Sequence, residues 1–121
     1  MLPLFGDERR FKQVVINLVK NAMKFTKSGY INIKTRYCSE QRSIIVHIED
    51  TGCGIVEEDI PQLFNRFSKP HRTVELNSSG IGLGLTIAKQ IVHHCGGKIE
   101  VESNGTGKGS LFIFSMKMDL V

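Results

Sequence analysis

No stretch of the 121 residues approaches the roughly 18 consecutive apolar residues that a membrane-spanning helix needs, so no span is expected. The opening Met1-Leu2-Pro3-Leu4-Phe5-Gly6-Asp7 is too short and too uncharged to serve as a secretory signal. Cysteine is scarce. Cys38, Cys53 and Cys95 are odd in number and 15 and 42 positions apart, which fits neither a zinc pattern nor a disulfide framework. They are expected to be free thiols in a reducing compartment, which makes the cytoplasm the expected location, with or without a membrane anchor elsewhere in a parent protein. The sequons Asn77-Ser78-Ser79 and Asn104-Gly105-Thr106 therefore count for nothing. There is no G-x-x-x-x-G-K-[ST] phosphate loop, no internal repeat, no low-complexity tract and no interdomain linker. What remains is 40% hydrophobic and 23% charged with 12 glycines, the composition of one soluble globular domain with a single core.

The net charge of +4 is distributed unevenly. Residues 1–42 carry nine Lys/Arg against three Asp/Glu, residues 43–61 none against five, and residues 62–121 seven against four. A basic helix face can hold phosphates of any kind. No aromatic-interleaved basic tract or helix-turn-helix pattern singles out DNA or RNA, so nucleic acid is not the expected partner.

Periodicity supplies the elements. From Asp7 to about Thr26, Phe11, Val14, Val15, Leu18, Val19, Ala22 and Phe25 share one sector of a helical wheel. Residues 30–37 alternate as a half-exposed strand, and Ser43 to Asp50 alternates again through Ile44, Val46 and Ile48. The Ser39-Glu40-Gln41-Arg42 segment between them reads as a hairpin turn. Glu57 to Phe64 is a short helix candidate with Ile60, Leu63 and Phe64 on its apolar side. Residues 65–79 are polar and aperiodic, a loop of a length that usually carries function. A third helix is expected from Gly82 to about His94, with Leu83, Ile87, Ile91 and Val92 inward and Gly96-Gly97 as its stop. Two further strands, Lys98 to Ser103 and Ser110 to Met116, flank a glycine-rich turn. Helices with one apolar stripe and strands with one wet face predict an α/β two-layer sandwich, a mixed, largely antiparallel sheet with helices on one face.

Three places carry chemistry. Asn17 and Asn21, four apart, stack on one helix face at the border of the apolar sector with Lys24 beside them. Two amide oxygens and an ammonium there can ligate a hard cation and hold phosphate, or can simply be a polar helix border. Strand parity aims Asp50 into the layer between sheet and helices, where a buried carboxylate needs a donor. Its donor is either a flat ligand, approached closely across Thr51-Gly52-Cys53-Gly54, or the turn's own backbone. Gly80-Ile81-Gly82-Leu83-Gly84-Leu85 opens the third helix, where exposed N–H groups and the helix dipole favour an anion. The spacing is G-x-G-x-G and a loop precedes it, so the dinucleotide fingerprint does not apply.

The order of these motifs is specific. Gly6-Asp7-Glu8-Arg9-Arg10-Phe11-Lys12-Gln13 leading into Asn17-Leu18-Val19-Lys20-Asn21-Ala22-Met23-Lys24-Phe25-Thr26 resembles the N box of sensor histidine kinases. Asp50-Thr51-Gly52-Cys53-Gly54-Ile55 resembles their first glycine box, Leu63-Phe64-Asn65-Arg66-Phe67 their phenylalanine box, and Gly80 to Leu85 their second glycine box. The match runs from about Gly6 to Met116. It implies the catalytic ATP-binding domain of the superfamily shared by gyrase, heat-shock chaperone, histidine kinase and mismatch-repair ATPases. On this resemblance Asn21 ligates Mg²⁺, Asn17 lies beside it in the phosphate region and Lys24 meets phosphate. Asp50 accepts from the exocyclic amine of adenine, and Gly52 and Gly54 shape that pocket. Phe64 and Phe67 anchor a lid over residues 65–79, and Lys69 stands where many relatives carry an Arg near the terminal phosphate. Gly80, Gly82 and Gly84 let the helix start wrap the phosphates, and Phe25, Ile55, Leu83 and Leu85 complete the nucleotide-binding boxes.

Two departures matter. ATP-hydrolysing relatives carry a Glu one turn before the magnesium Asn, as general base for water; Asn17 stands there and cannot take that proton. Ile81 occupies a position where relatives place a small or hydroxylated residue. The resemblance thus implies transfer of the ATP γ-phosphate to a histidine on a separate dimerisation and phospho-acceptor domain, with a response regulator receiver domain as indirect partner. An ATPase of the same superfamily and a degenerate regulatory module are the alternatives. His47, His71, His93 and His94 lack the context of a phospho-acceptor, so the chain reads as the catalytic half of a longer kinase, a domain excised just before its N box.

Overall fold

A computed structural model describes residues 4–64 and 83–120 of the chain. Strand β1 (Leu4–Phe5) leads into helix α1 (Glu8–Phe25). Strands β2 (Ile31–Cys38) and β3 (Ser43–Asp50) follow, then a 3-10 turn (Glu57–Gln62), helix α2 (Leu83–His94), and strands β4 (Ile99–Glu102), β5 (Ser110–Lys117) and β6 (Asp119–Leu120). Four strands form one sheet in the order β2-β3-β5-β4, every pair antiparallel, and α1 and α2 pack together on one face of it. This is the two-layer sandwich expected from the periodicity. Strands β1 and β6 make a separate antiparallel ribbon.

The element boundaries have local causes. Asp7 caps α1 by accepting from the Arg10 amide at 3.0 Å, and Glu8 complements the helix dipole in the first turn. Val14, Leu18, Ala22 and Phe25 form the buried stripe of α1. The β2–β3 hairpin closes over Ser39–Arg42 with Arg42 at φ 52°. The short helix expected from Glu57 is present as a 3-10 helix over Glu57–Gln62, with Pro61, which lacks an N–H, inside it. Helix α2 ends in a Schellman cap: Gly97 donates to the Val92 carbonyl at 2.9 Å, Gly96 to that of His93 at 3.1 Å, and Gly96 takes φ +72°.

Strand β3 lies between β2 and β5, and Ile44, Val46 and Ile48 meet Phe112, Phe114 and Met116 of β5 under the helices. Phe114 stacks tilted against Phe11 of α1 at 5.9 Å between centroids, and Phe112 meets Phe64 edge-on at 6.2 Å. Among the described residues Ile16, Met23, Tyr30, Ile33 and Ile87 are the exposed large hydrophobics. Ile33 on edge strand β2 is 47% exposed. Ile87, expected inward, is 42% exposed, because α2 turns Leu85, Ala88 and Val92 to the core and Ile87 projects well away from that arc. Ile91 is half-buried and Val92 fully buried, as expected. Among the described residues no helix is long and apolar enough to cross a membrane, and Cys38, Cys53 and Cys95 are free.

Candidate functional site

The motifs converge where the end of β3, the C-terminal half of α1 and the start of α2 meet, and hydrogen bonds tie them together. Cys53 of the glycine turn donates its amide to the Phe25 carbonyl at 3.0 Å, which anchors the turn to the last residue of α1. Asn17 Nδ2 donates to the Gly84 carbonyl at 3.2 Å, which joins α1 to the first turn of α2. Thr86 Oγ1 donates to the Phe64 carbonyl at 3.1 Å, which joins α2 to the segment after the 3-10 turn.

On α1, Asn17, Asn21 and Lys24 are each half-buried, at the border the wheel assigned them. They differ in engagement. Asn17 has both ends of its amide in use, since its Oδ1 also accepts from Gln13 Nε2 at 2.7 Å. Asn21 Nδ2 is buried with no hydrogen-bond partner among the described residues. An unpaired buried donor of this kind costs about 1–3 kcal/mol and calls for an explanation. Lys24 Nζ lies 5.7 Å from the centroid of the Phe25 ring and makes no ion pair among the described residues.

Asp50 is 3% exposed and points inward as parity requires. Of the two expected donors, the turn's own backbone is present, and a second donor comes from across the sheet. Its Oδ1 accepts from the Gly52 amide at 2.9 Å, so it does close its own turn, and its Oδ2 accepts from Ser110 Oγ at 2.6 Å. Ser110, buried and directly across from Asp50 in the register, was invisible to local pattern because it lies 60 residues away. The turn has a second brace in the 103–109 loop. Gly107 and Gly109 donate to the carbonyls of Cys53 and Gly52 at 2.7 and 3.2 Å, and Ser103 Oγ accepts from the Ile55 amide at 3.0 Å.

Other members of the predicted set serve the core. Ile55 and Leu85 are buried, Phe25 is 4% exposed, and Phe64 is half-buried against the core. Leu83 opens α2. Phe67, Lys69, Gly80, Ile81, Gly82 and the lid over 65–79 lie outside the described residues. No group of three His, Cys, Asp or Glu able to hold a metal occurs among the described residues. A cation held by the described residues alone would depend on amide oxygen, water and ligand phosphates.

A fold of two helices on one antiparallel sheet, with an inward Asp before a glycine turn and an Asn pair on the helix that anchors that turn, defines a class. Residues 6–120 match the family described as histidine kinase-, DNA gyrase B- and HSP90-like ATPases, and the chain belongs to it. It is 37% identical over 120 residues to the sensor protein GacS of Pseudomonas syringae pv. syringae and 38% identical to the sensor histidine kinase GacS of Pseudomonas protegens. Each alignment covers 97% of this chain and 13% of the relative, so the chain spans about an eighth of those proteins. Among solved structures it is similar to the nucleotide-free catalytic domain of histidine kinase ThkA, at 33% identity and a TM-score of 0.75, over 93% of this chain and 68% of that one. Full-length ShkA in complex with AMPPNP gives a TM-score of 0.82 at 25% identity, over 100% of this chain and 24% of that one.

Proposed function

We propose that this domain binds Mg²⁺-ATP and transfers the γ-phosphoryl group to a histidine on a separate dimerisation and phospho-acceptor domain, as the catalytic half of a cytoplasmic two-component phosphorelay kinase. The observation that carries the reading is the buried Asn21 Nδ2, without a partner among the described residues, one turn before Phe25, whose carbonyl anchors the glycine turn. A half-turn of that amide exchanges nitrogen for oxygen at no cost in shape, so it fits a hard cation. Bound magnesium would supply charge neutralisation on the phosphate oxygens.

The chain's own residues supply binding and orientation. Asp50, held by Ser110 and the Gly52 amide, is a fixed acceptor for the exocyclic amine of adenine. Gly52 and Gly54 shape the turn beneath the base. Lys24 offers a mobile ammonium to phosphate, and Asn17 sits with Gly84 at the phosphate end. Lys69, Phe67 and the lid, with Gly80 and Gly82, are proposed to close over that end. In the transfer, a nitrogen lone pair of the acceptor imidazole forms the P–N bond while the P–O bond to the leaving diphosphate breaks and keeps its electron pair on ADP. Catalysis of such a step is mostly positioning. Asn17 donates one end of its amide to Gly84 and accepts at the other from Gln13, so no general base for water stands there, which favours transfer over hydrolysis. Other domains of the parent protein supply the acceptor, and a receiver domain takes the phosphoryl group later.

Isothermal titration of the 121-residue chain with AMPPNP and Mg²⁺ tests the reading, and no binding at millimolar nucleotide overturns it. Asp50→Asn should abolish the preference for adenine over guanine nucleotides; unchanged selectivity would move the base pocket elsewhere.

A further inference from the structure

On α1, Gln13 and Asn17 stand one turn apart, and the first turn of α2 passes beside Asn17. The hydrogen bonds run in one direction: Gln13 Nε2 to Asn17 Oδ1 at 2.7 Å, and Asn17 Nδ2 to the Gly84 carbonyl at 3.2 Å. That direction is not arbitrary. A backbone carbonyl can only accept, so Asn17 must present its nitrogen to Gly84 and its oxygen to Gln13, and Gln13 must then donate. Without a donor at position 13 the Asn17 amide is free to turn over, which would set its oxygen against the Gly84 oxygen.

Gly84 is the second residue of α2, and its carbonyl is also the helical acceptor for the Ala88 amide. A bond from α1 to this carbonyl therefore fixes where the first turn of α2 sits relative to Asn21 and Lys24. Leu85 packs into the core and Thr86 bonds the Phe64 carbonyl, but around Gly84 itself nothing among the described residues lies within 4 Å of where a Cβ would stand, so the Asn17 bond is the described tie from α1 at that point. We infer that Gln13 is a positioning residue for the phosphate end of the nucleotide site: through Asn17 it locks the first turn of α2 to α1. Gln13 itself touches no ligand. The inference rests on the nucleotide-binding reading above, but its structural half can be tested without nucleotide.

Gln13→Met keeps length and neutrality and removes the donor, so electrostatic attraction for phosphate is unchanged. In the nucleotide-free chain, hydrogen exchange at the Ile87 and Ala88 amides, which close the first turn of α2, should quicken about 3- to 10-fold, the range for one lost hydrogen bond. AMPPNP affinity should fall by a similar factor while adenosine affinity stays within about twofold. In an Asn17→Ala background, Gln13→Met should change neither reading further, because the two act as one unit. Unchanged exchange at Ile87 and Ala88 overturns the inference whether or not nucleotide binds. So does equal weakening of AMPPNP and adenosine, or a persistent Gln13→Met effect without Asn17. Failure of the unaltered chain to bind AMPPNP overturns the proposed function instead, and leaves the exchange result to decide the lock.

Discussion

The two glycine motifs look alike in sequence, yet Gly52 and Gly54 of the first and Gly84 of the second differ in what fills the space around them. At Gly52 a Cβ would overlap the Phe25 carbonyl, and at Gly54 it would overlap the Gly105 carbonyl with φ already at +74°. Those glycines answer to the protein's own backbone, which is packed against the turn from α1 on one side and from the 103–109 loop on the other. Gly84 meets nothing within 4 Å. Among the described residues nothing demands glycine there. A glycine beside a candidate site is thus evidence of a ligand only when the protein has no prior use for the missing side chain.

Substitution separates the two cases. Gly54→Ala combines a disfavoured φ with overlap against a braced loop, and should cost about 3 kcal/mol or more of stability in urea unfolding. Gly52→Ala, with ordinary φ but a backbone overlap, should cost about 1–3 kcal/mol. Ser110→Ala removes one donor from the buried Asp50 and should cost about 1–3 kcal/mol, which would show that the first motif is held from across the sheet as well as from α1. Asn21→Ala should leave thermal stability unchanged or raise it by about 1 kcal/mol, since an unpaired donor is deleted, while Mg²⁺-nucleotide binding is lost. Gly84→Ala should raise stability by up to about 1 kcal/mol through helix propensity yet weaken AMPPNP binding. Marked destabilisation by Gly84→Ala, or unchanged stability in Gly54→Ala, would erase the contrast between the motifs.

Much of this arrangement is legible in the chain because its signals are local. Strand β3 runs from Ser43 to Asp50 as the alternation has it, and the inward aim of Asp50 follows from parity alone. The border positions of Asn17, Asn21 and Lys24 follow from the helical wheel. What the chain conceals is set by tertiary register. Ser110 matters because β5 pairs with β3 so that it faces Asp50, and nothing in the periodicity of either strand fixes that pairing. Gln13 reads as one more polar residue on an exposed helix face until α2 is placed beside Asn17. Ile87 misleads for the opposite reason. Its position in an apolar helix suggests burial, but Ala88 and Leu85 take the packed side and leave Ile87 to solvent. The 103–109 loop looks like an ordinary glycine turn and is in fact the second support of the Asp50 motif.

The ribbon of β1 and β6 carries a mechanical consequence. Leu4 pairs with Leu120 and Phe5 with Asp119 in antiparallel register, so Leu4 and Leu120 lie side by side at one end of the ribbon. Tension applied between Leu4 and Leu120 would then unzip this short ribbon one pair at a time instead of shearing the four-stranded sheet. Behind it, Arg42 Nε holds Asp119 Oδ1 at 2.6 Å and the Met118 amide bonds the Arg42 carbonyl at 2.9 Å, marking where such a peel would first meet the β2–β3 hairpin. A pull on the ends would be spent at the edge of the domain, far along the chain from Asn21 and Asp50.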